Sequence, residues 1–208
     1  MSETEHHFTR RLEAFSDIVI GFSLAQLGAS LTVPQNGAEL IQHPGWFFGS
    51  VFAFSVVCSM WFFHHQLFSS YFVPTPAAVV MNFVWLGVVI FTVYITEVYV
   101  RLPTDETVLR MYFASYGLAY GLLGLQWVMA SRYMKEPMPE VKFRMRRGYA
   151  YMFVWAVPFA ISFLAVTVLP LGDAASLTIM FSFVAAGIAF WIIASRYERE
   201  GTALEKSS

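Results

Sequence analysis

Few side chains in this sequence could do chemistry. Asp17 opens "DIVIGFSLAQL" (17–27), the adjacent His64 and His65 sit in "MWFFHHQLF" (60–68), and Glu97 and Arg101 lie four apart in "TEVYVR" (96–101). A carboxylate beside an imidazole suggests hydrogen bonding between elements, whereas paired histidines suggest metal or haem ligation. Ligation needs further donors, and the remaining histidines, His6, His7 and His43, stand far from the pair in the chain. Adjacent helical residues diverge by about 100°, so one histidine can face Asp17 while the other faces elsewhere. The Glu97/Arg101 spacing suits a local ion pair. Asn82 and Gln126 are single amides in apolar surroundings, expected to bond across helices. The lone Cys58 forms no internal disulfide and reads as an apolar filler. With no nucleophile–base pair, phosphate loop or carboxylate cluster, neither an enzyme activity nor a metal or other cofactor is expected.

The elements that must position these groups are membrane helices. Of 208 residues, 57% are hydrophobic and only 13% charged, about half the usual charged share of a soluble domain. Glu39 is the only charge between Ile18 and Thr96, and Asp173 the only one between Gly148 and Ser195. A soluble helix needs a polar face at 3.6-residue spacing, and these segments have none. Crossing a hydrocarbon core of about 30 Å takes roughly 20 helical residues. Six stretches qualify, at 11–33, 46–70, 77–100, 108–131, 149–171 and 174–195. The expected fold is all-α, one six-span membrane domain over 1–208. Proline and glycine break the helices at 34–45, 73–76, 101–107 and 169–174, and the longest connection is the basic 132–147.

Lysine and arginine are retained on the cytoplasmic side. With the N-terminus inside, inner segments carry eleven of the thirteen basic residues and outer segments only Arg101 and Arg110. Both termini are therefore expected in the cytoplasm. Trp46, Trp127 and Trp191 fall near span ends, as interfacial anchors do. The net charge of −1 gives no basic surface for nucleic acid. Glu13 and Asp17 interrupt what would otherwise faintly resemble a twin-arginine signal peptide, so cleavage is not expected.

Placed 100° apart, the residues of the first span sort into three faces. Arg11, Phe15, Ile18, Phe22, Gln26 and Ala29 share one; Ser16, Ser23 and Ser30, with Ile20 and Leu27 between them, form the second; Asp17, Gly21, Leu24 and Gly28 form the third. Small residues on two faces let helices approach closely. The span is therefore expected at the centre of the bundle, with Asp17 accepting hydrogen bonds from His64 or His65 and assisted by Arg11.

The motifs "RxxxFSD" (Arg11 to Asp17) and "WFFHHQLF" (61–68) resemble the signature of the transmembrane protein 175 family of potassium channels, whose prokaryotic members carry one six-span unit per chain. The resemblance implies a homotetramer in the plasma membrane of a prokaryote, passing potassium or another monovalent cation along a central path lined by the first span of each subunit. It implies that Arg11, Phe15, Ser16 and Asp17, with His64 or His65, tie that span to its neighbours. It also implies selection by rings of bulky aliphatic side chains and not by a carbonyl filter. Phe22 stands where isoleucine or leucine is usual, Gln26 a turn later where an aliphatic residue is common, and then Ala29, so with Ile18 these form the expected pore lining. Phe63 replaces the usual asparagine before the histidine pair. Two alternatives stand beside the channel: a non-conducting membrane scaffold of the same fold, and a haem or redox protein built on His64 or His65.

Overall fold

The computed structural model describes residues 3–29, 44–134, 138–170 and 172–205. Ser30, His43, the connection at 34–43 and the side chain of Trp46 lie outside the described residues. Among these residues six helices follow one another: α1 (Glu3–Ala29), α2 (Pro44–Ser70), α3 (Pro76–Arg101), α4 (Glu106–Tyr133), α5 (Pro139–Val168) and α6 (Asp173–Glu205). No other regular element appears among the described residues.

The helix starts follow from local chemistry. Thr75 Oγ1 accepts from the Ala78 N–H (3.2 Å), and Pro76 fills the first turn of α3, where a missing N–H costs nothing. Asp105 Oδ1 accepts from the N–H groups of Thr107 (2.8 Å) and Val108 (3.0 Å) at the start of α4. Three helices outrun their expected spans. α1 begins at Glu3, α6 continues to Glu205, and α5 begins at Pro139, so Lys142, Arg144, Arg146 and Arg147 lie on a helix and not in a long loop. A hydropathy window stops at charges, but a helix need not.

Among the described residues, five helices are long and apolar enough to cross a membrane; α4 falls short on apolarity although it has 28 residues. Many of its side chains are buried, among them Tyr112, Tyr116, Tyr120 and Trp127. A helix enclosed by other helices meets little lipid and can carry hydroxyls, provided they are paired. Tyr116 shares a hydrogen bond with Thr96 of α3 (3.0 Å), Tyr120 with Ser59 of α2 (2.7 Å), and Trp85 of α3 donates to the Ala119 carbonyl (3.0 Å). Phe159 of α5 stacks on Tyr116 and Tyr120 (ring centroids 5.1 and 5.9 Å).

The centre of the bundle is therefore α4, and the expectation that the first span occupies it is corrected. α1 packs along one side against α2 and α3. A Cβ on Gly21 or Gly28 would meet nothing within 4 Å, so those glycines do not bring another helix of the chain close. Close approach occurs between α4 and α5 instead. A Cβ on Gly124 would lie 3.2 Å from Met152 Cβ, and one on Gly148 only 2.5 Å from the Trp127 ring. Trp127 is buried to 1% exposure and is no interfacial anchor, whereas Trp191 is 69% exposed on α6.

Other expectations fail locally. Glu97 and Arg101 do not pair; one Glu97 carboxylate oxygen is buried without a partner among the described residues. The i, i+4 ion pair that does form at that end is Glu106–Arg110 (2.9 Å), and the Arg110 Nε–H also reaches the Val166 carbonyl (3.0 Å). Gln126 is buried with both amide atoms unpartnered, so it bridges to no other described helix.

Candidate functional site

The serine face of α1 is the buried one: Leu12, Ser16, Ile20, Ser23 and Leu27 recur at helical spacing and are all buried. Asn82 of α3 lies against it. The Asn82 amide donates to Ser16 Oγ (3.1 Å), and the Ser16 hydroxyl donates to the Leu12 carbonyl (2.9 Å). Asn82 Oδ1 is then an acceptor, so His64 Nε2, 2.8 Å away, carries the hydrogen. The chain from His64 through Asn82 to Ser16 crosses three helices with every donor direction fixed. His64 is fully buried, stacked on Trp85 (4.5 Å, 5°) and on Phe68 (4.4 Å, 27°).

Asp17 takes a different partner from the one expected. Its Oδ1 accepts from Trp61 Nε1 at 2.9 Å, and neither histidine bonds to it. The reason is helical phase. Trp61 and His65 are four apart on α2 and turn towards α1 together, while His64 is rotated about 100° away, towards α3. His65 stacks on Trp61 (5.7 Å, 22°) and brings Nδ1 to 3.1 Å from Glu13 Oε1. The motifs at the start of α1 and the end of α2 thus do converge. The pairs are Asp17–Trp61 and Glu13–His65, beside the separate His64–Asn82–Ser16 chain. Trp61 and Glu13 are the residues that motif reading passed over; Trp61 could have been found from its i, i+4 relation to His65.

Arg11 is exposed and makes no hydrogen bond or ion pair within the described chain, so its expected tie to neighbouring helices is not formed there. Phe15 on the same face touches α3 through an edge contact with Phe83 (5.9 Å). The rest of that face is bare: Ile18 is 59% and Phe22 75% exposed, and Gln26 and Ala29 are exposed as well.

The histidine geometry bears on the redox alternative. His64 spends Nε2 on Asn82 and its ring faces on Trp85 and Phe68, and the remaining Nδ1 is enclosed. His65 points to Glu13. No group of three or more metal-ligating side chains occurs among the described residues. The pair is therefore built into packing and hydrogen bonding between helices.

Residues 11–93, which span α1 to most of α3, match the sequence profile of the family described as endosomal/lysosomal potassium channel TMEM175. No curated protein matches the sequence. Among solved structures, the fold is similar to that of a lysosomal potassium-selective channel TMEM175 homologue from Chamaesiphon minutus. The TM-score is 0.62 at 22% identity, covering 92% of this chain and 98% of that one. The family profile falls on the three helices that carry the convergent motifs, and the shared fold extends over nearly the whole length. The chain is thus an integral membrane protein that is similar in sequence to the TMEM175 family over residues 11–93 and shares the fold of a TMEM175 homologue over nearly its whole length.

Proposed function

We propose that the chain is one subunit of a passive monovalent-cation channel, permeable to potassium, in which the bare face of α1 lines a path on the symmetry axis of a homotetramer. The observation that carries this reading is the division of α1. One side is fastened by Ser16, Asp17 and Glu13 to α2 and α3, and the other leaves Ile18, Phe22, Gln26 and Ala29 exposed. An amide such as Gln26 facing lipid would be left without hydrogen bonds, at a cost of several kcal/mol. On an axis it meets water or the same residue of another subunit. The potassium-channel description of the family and of the solved relative supports the same reading. The basic residues at the α1, α4–α5 and α6 ends favour cytoplasmic termini.

Four Phe22 rings make the narrow point, a hydrophobic constriction that closes by dewetting, and four Gln26 amides beside it hydrate an ion without stripping it. Ile18 and Ala29 flank the constriction. Potassium flux into liposomes containing purified protein tests this. Phe22→Ala is expected to raise flux roughly tenfold, equivalent to removing about 1.4 kcal/mol of barrier, without changing the melting temperature. Protein that passes no monovalent cation above background, both as wild type and as Phe22→Ala, would sink the channel reading and leave the non-conducting scaffold.

A further inference from the structure

Two cavities lie in series along α2 on the side away from α1's motif contacts. The first, of about 480 Å³, sits where α2 and α4 end and α5 begins. Its walls include Arg144 and Arg147, three apart on one face of α5, together with Gln66 and Ser70 of α2. Neither guanidinium has a carboxylate in ion-pairing range among the described residues, and Glu140, one turn before Arg144, does not reach it. Trp127 forms part of the wall, and Gly148, next to Arg147, lets the α5 backbone close against its ring.

The second cavity, of about 330 Å³, lies further along α2 and shares Phe63 and Phe190 with the first. Phe52, Val56, Phe159 and Phe183 line the rest of it, and its hydroxyls are already spent: Ser55 donates to the Val51 carbonyl (2.8 Å), and Ser59 pairs with Tyr120 (2.7 Å). It offers only hydrocarbon surface. From Gln66 to Phe52 is about 21 Å of helix at 1.5 Å per residue. Half of a bilayer including its headgroups is roughly 20–22 Å. A paired guanidinium site at one end and an apolar slot of one leaflet's depth at the other match one class of molecule.

We infer that these cavities form a binding site for an anionic phospholipid, its phosphate held between Arg144 and Arg147 and an acyl chain lying past Phe63 and Phe190 in the apolar slot. Arginine forks bind phosphate oxygens in pairs, and basic residues at the membrane surface each contribute attraction to anionic headgroups. A free anion would use the first cavity and gain nothing from the second. The site is independent of ion conduction by α1, so its test does not depend on flux.

Purified, delipidated protein titrated with phosphatidylglycerol or phosphatidylcholine, and read by native mass spectrometry, decides the matter. Wild type is expected to retain phosphatidylglycerol in preference to phosphatidylcholine. Arg144→Gln with Arg147→Gln should weaken phosphatidylglycerol retention roughly thirtyfold, and a double lysine variant should recover part of it. Val56→Trp, which fills the slot and leaves both arginines in place, should weaken retention of the same lipid. Equal retention of the two lipids, or no change in the double glutamine variant, would overturn the site. Glycerol 3-phosphate binding as tightly as the lipid, or Val56→Trp having no effect, would overturn the lipid as its occupant. Unchanged melting temperatures of the variants separate loss of binding from loss of fold.

Discussion

The two sides of α1 are built of different materials. One is a buried strip of small hydroxyls and aliphatic side chains, held to α2 and α3 by directional bonds, among them the His64–Asn82–Ser16 chain. The other is an exposed strip of a phenyl ring, a branched aliphatic chain and an amide, with an edge contact from Phe15 to Phe83 at its start. The difference separates two demands on one helix. Orientation is set on the buried side by directional bonds, so the bare side is free to vary in the residues it presents. Phe22 and Gln26, which depart from the pattern the resemblance implies, both fall on the bare side, and Ser16 and Asp17, which keep to it, fall on the fastened one.

Substitutions on the fastened side sharpen that contrast if the buried Asn82 chain contributes most to stability and the charged contacts of Asp17 and Glu13 less. Asn82→Leu should have the largest effect. It keeps the volume but leaves the His64 Nε2–H and one Ser16 acceptor unpaired, at about 3 kcal/mol, and thermal unfolding of the solubilised protein should show a clear fall in melting temperature. Asp17→Ala should cost about 2 kcal/mol, since it strips the Trp61 indole N–H of a charged acceptor. Asp17→Asn, which keeps a carbonyl oxygen in place, should cost less than half of that, and the ratio of the two unfolding shifts measures the charge itself. Glu13→Gln should be the mildest, under about 1 kcal/mol, because His65 is half-exposed and solvent screens the pair. A Glu13→Gln shift equal to that of Asn82→Leu would break the comparison, since it would place the strength of the fastening at the rim and not in the buried chain.

Much of this was legible in the sequence. Six helices and their turns follow from the spacing of apolar runs and from proline and glycine, and the convergence of the α1 and α2 motifs follows from their positions at one end of antiparallel helices. Asn82 was legible as an inter-helix amide because a lone amide in an apolar span has to find a partner. The partner of Asp17 was not. Residue type favours a histidine beside a carboxylate, but a neutral indole N–H on the correct helical phase is nearer, and phase outweighs type. The charged ends of α1, α5 and α6 escaped a criterion based on hydropathy. The central place of α4 escaped it for the opposite reason: tyrosines and glycines lower its apolarity because other helices, and not lipid, surround it. Gln126 looks like Asn82 in sequence and differs only in what faces it, which no single chain position reveals.

All three ties from α1 described above, at Glu13, Ser16 and Asp17, fall within little more than one helical turn. Beyond them the helix meets its neighbours through Ile20, Ser23 and Leu27. Such an arrangement is a pivot with an arm. From Asp17 to Ala29 the arm is about 18 Å, so a tilt of roughly 10° about the ties would carry the far end by about 3 Å, with the helix itself unbent. Gln26 would travel most of that distance and Ile18 almost none.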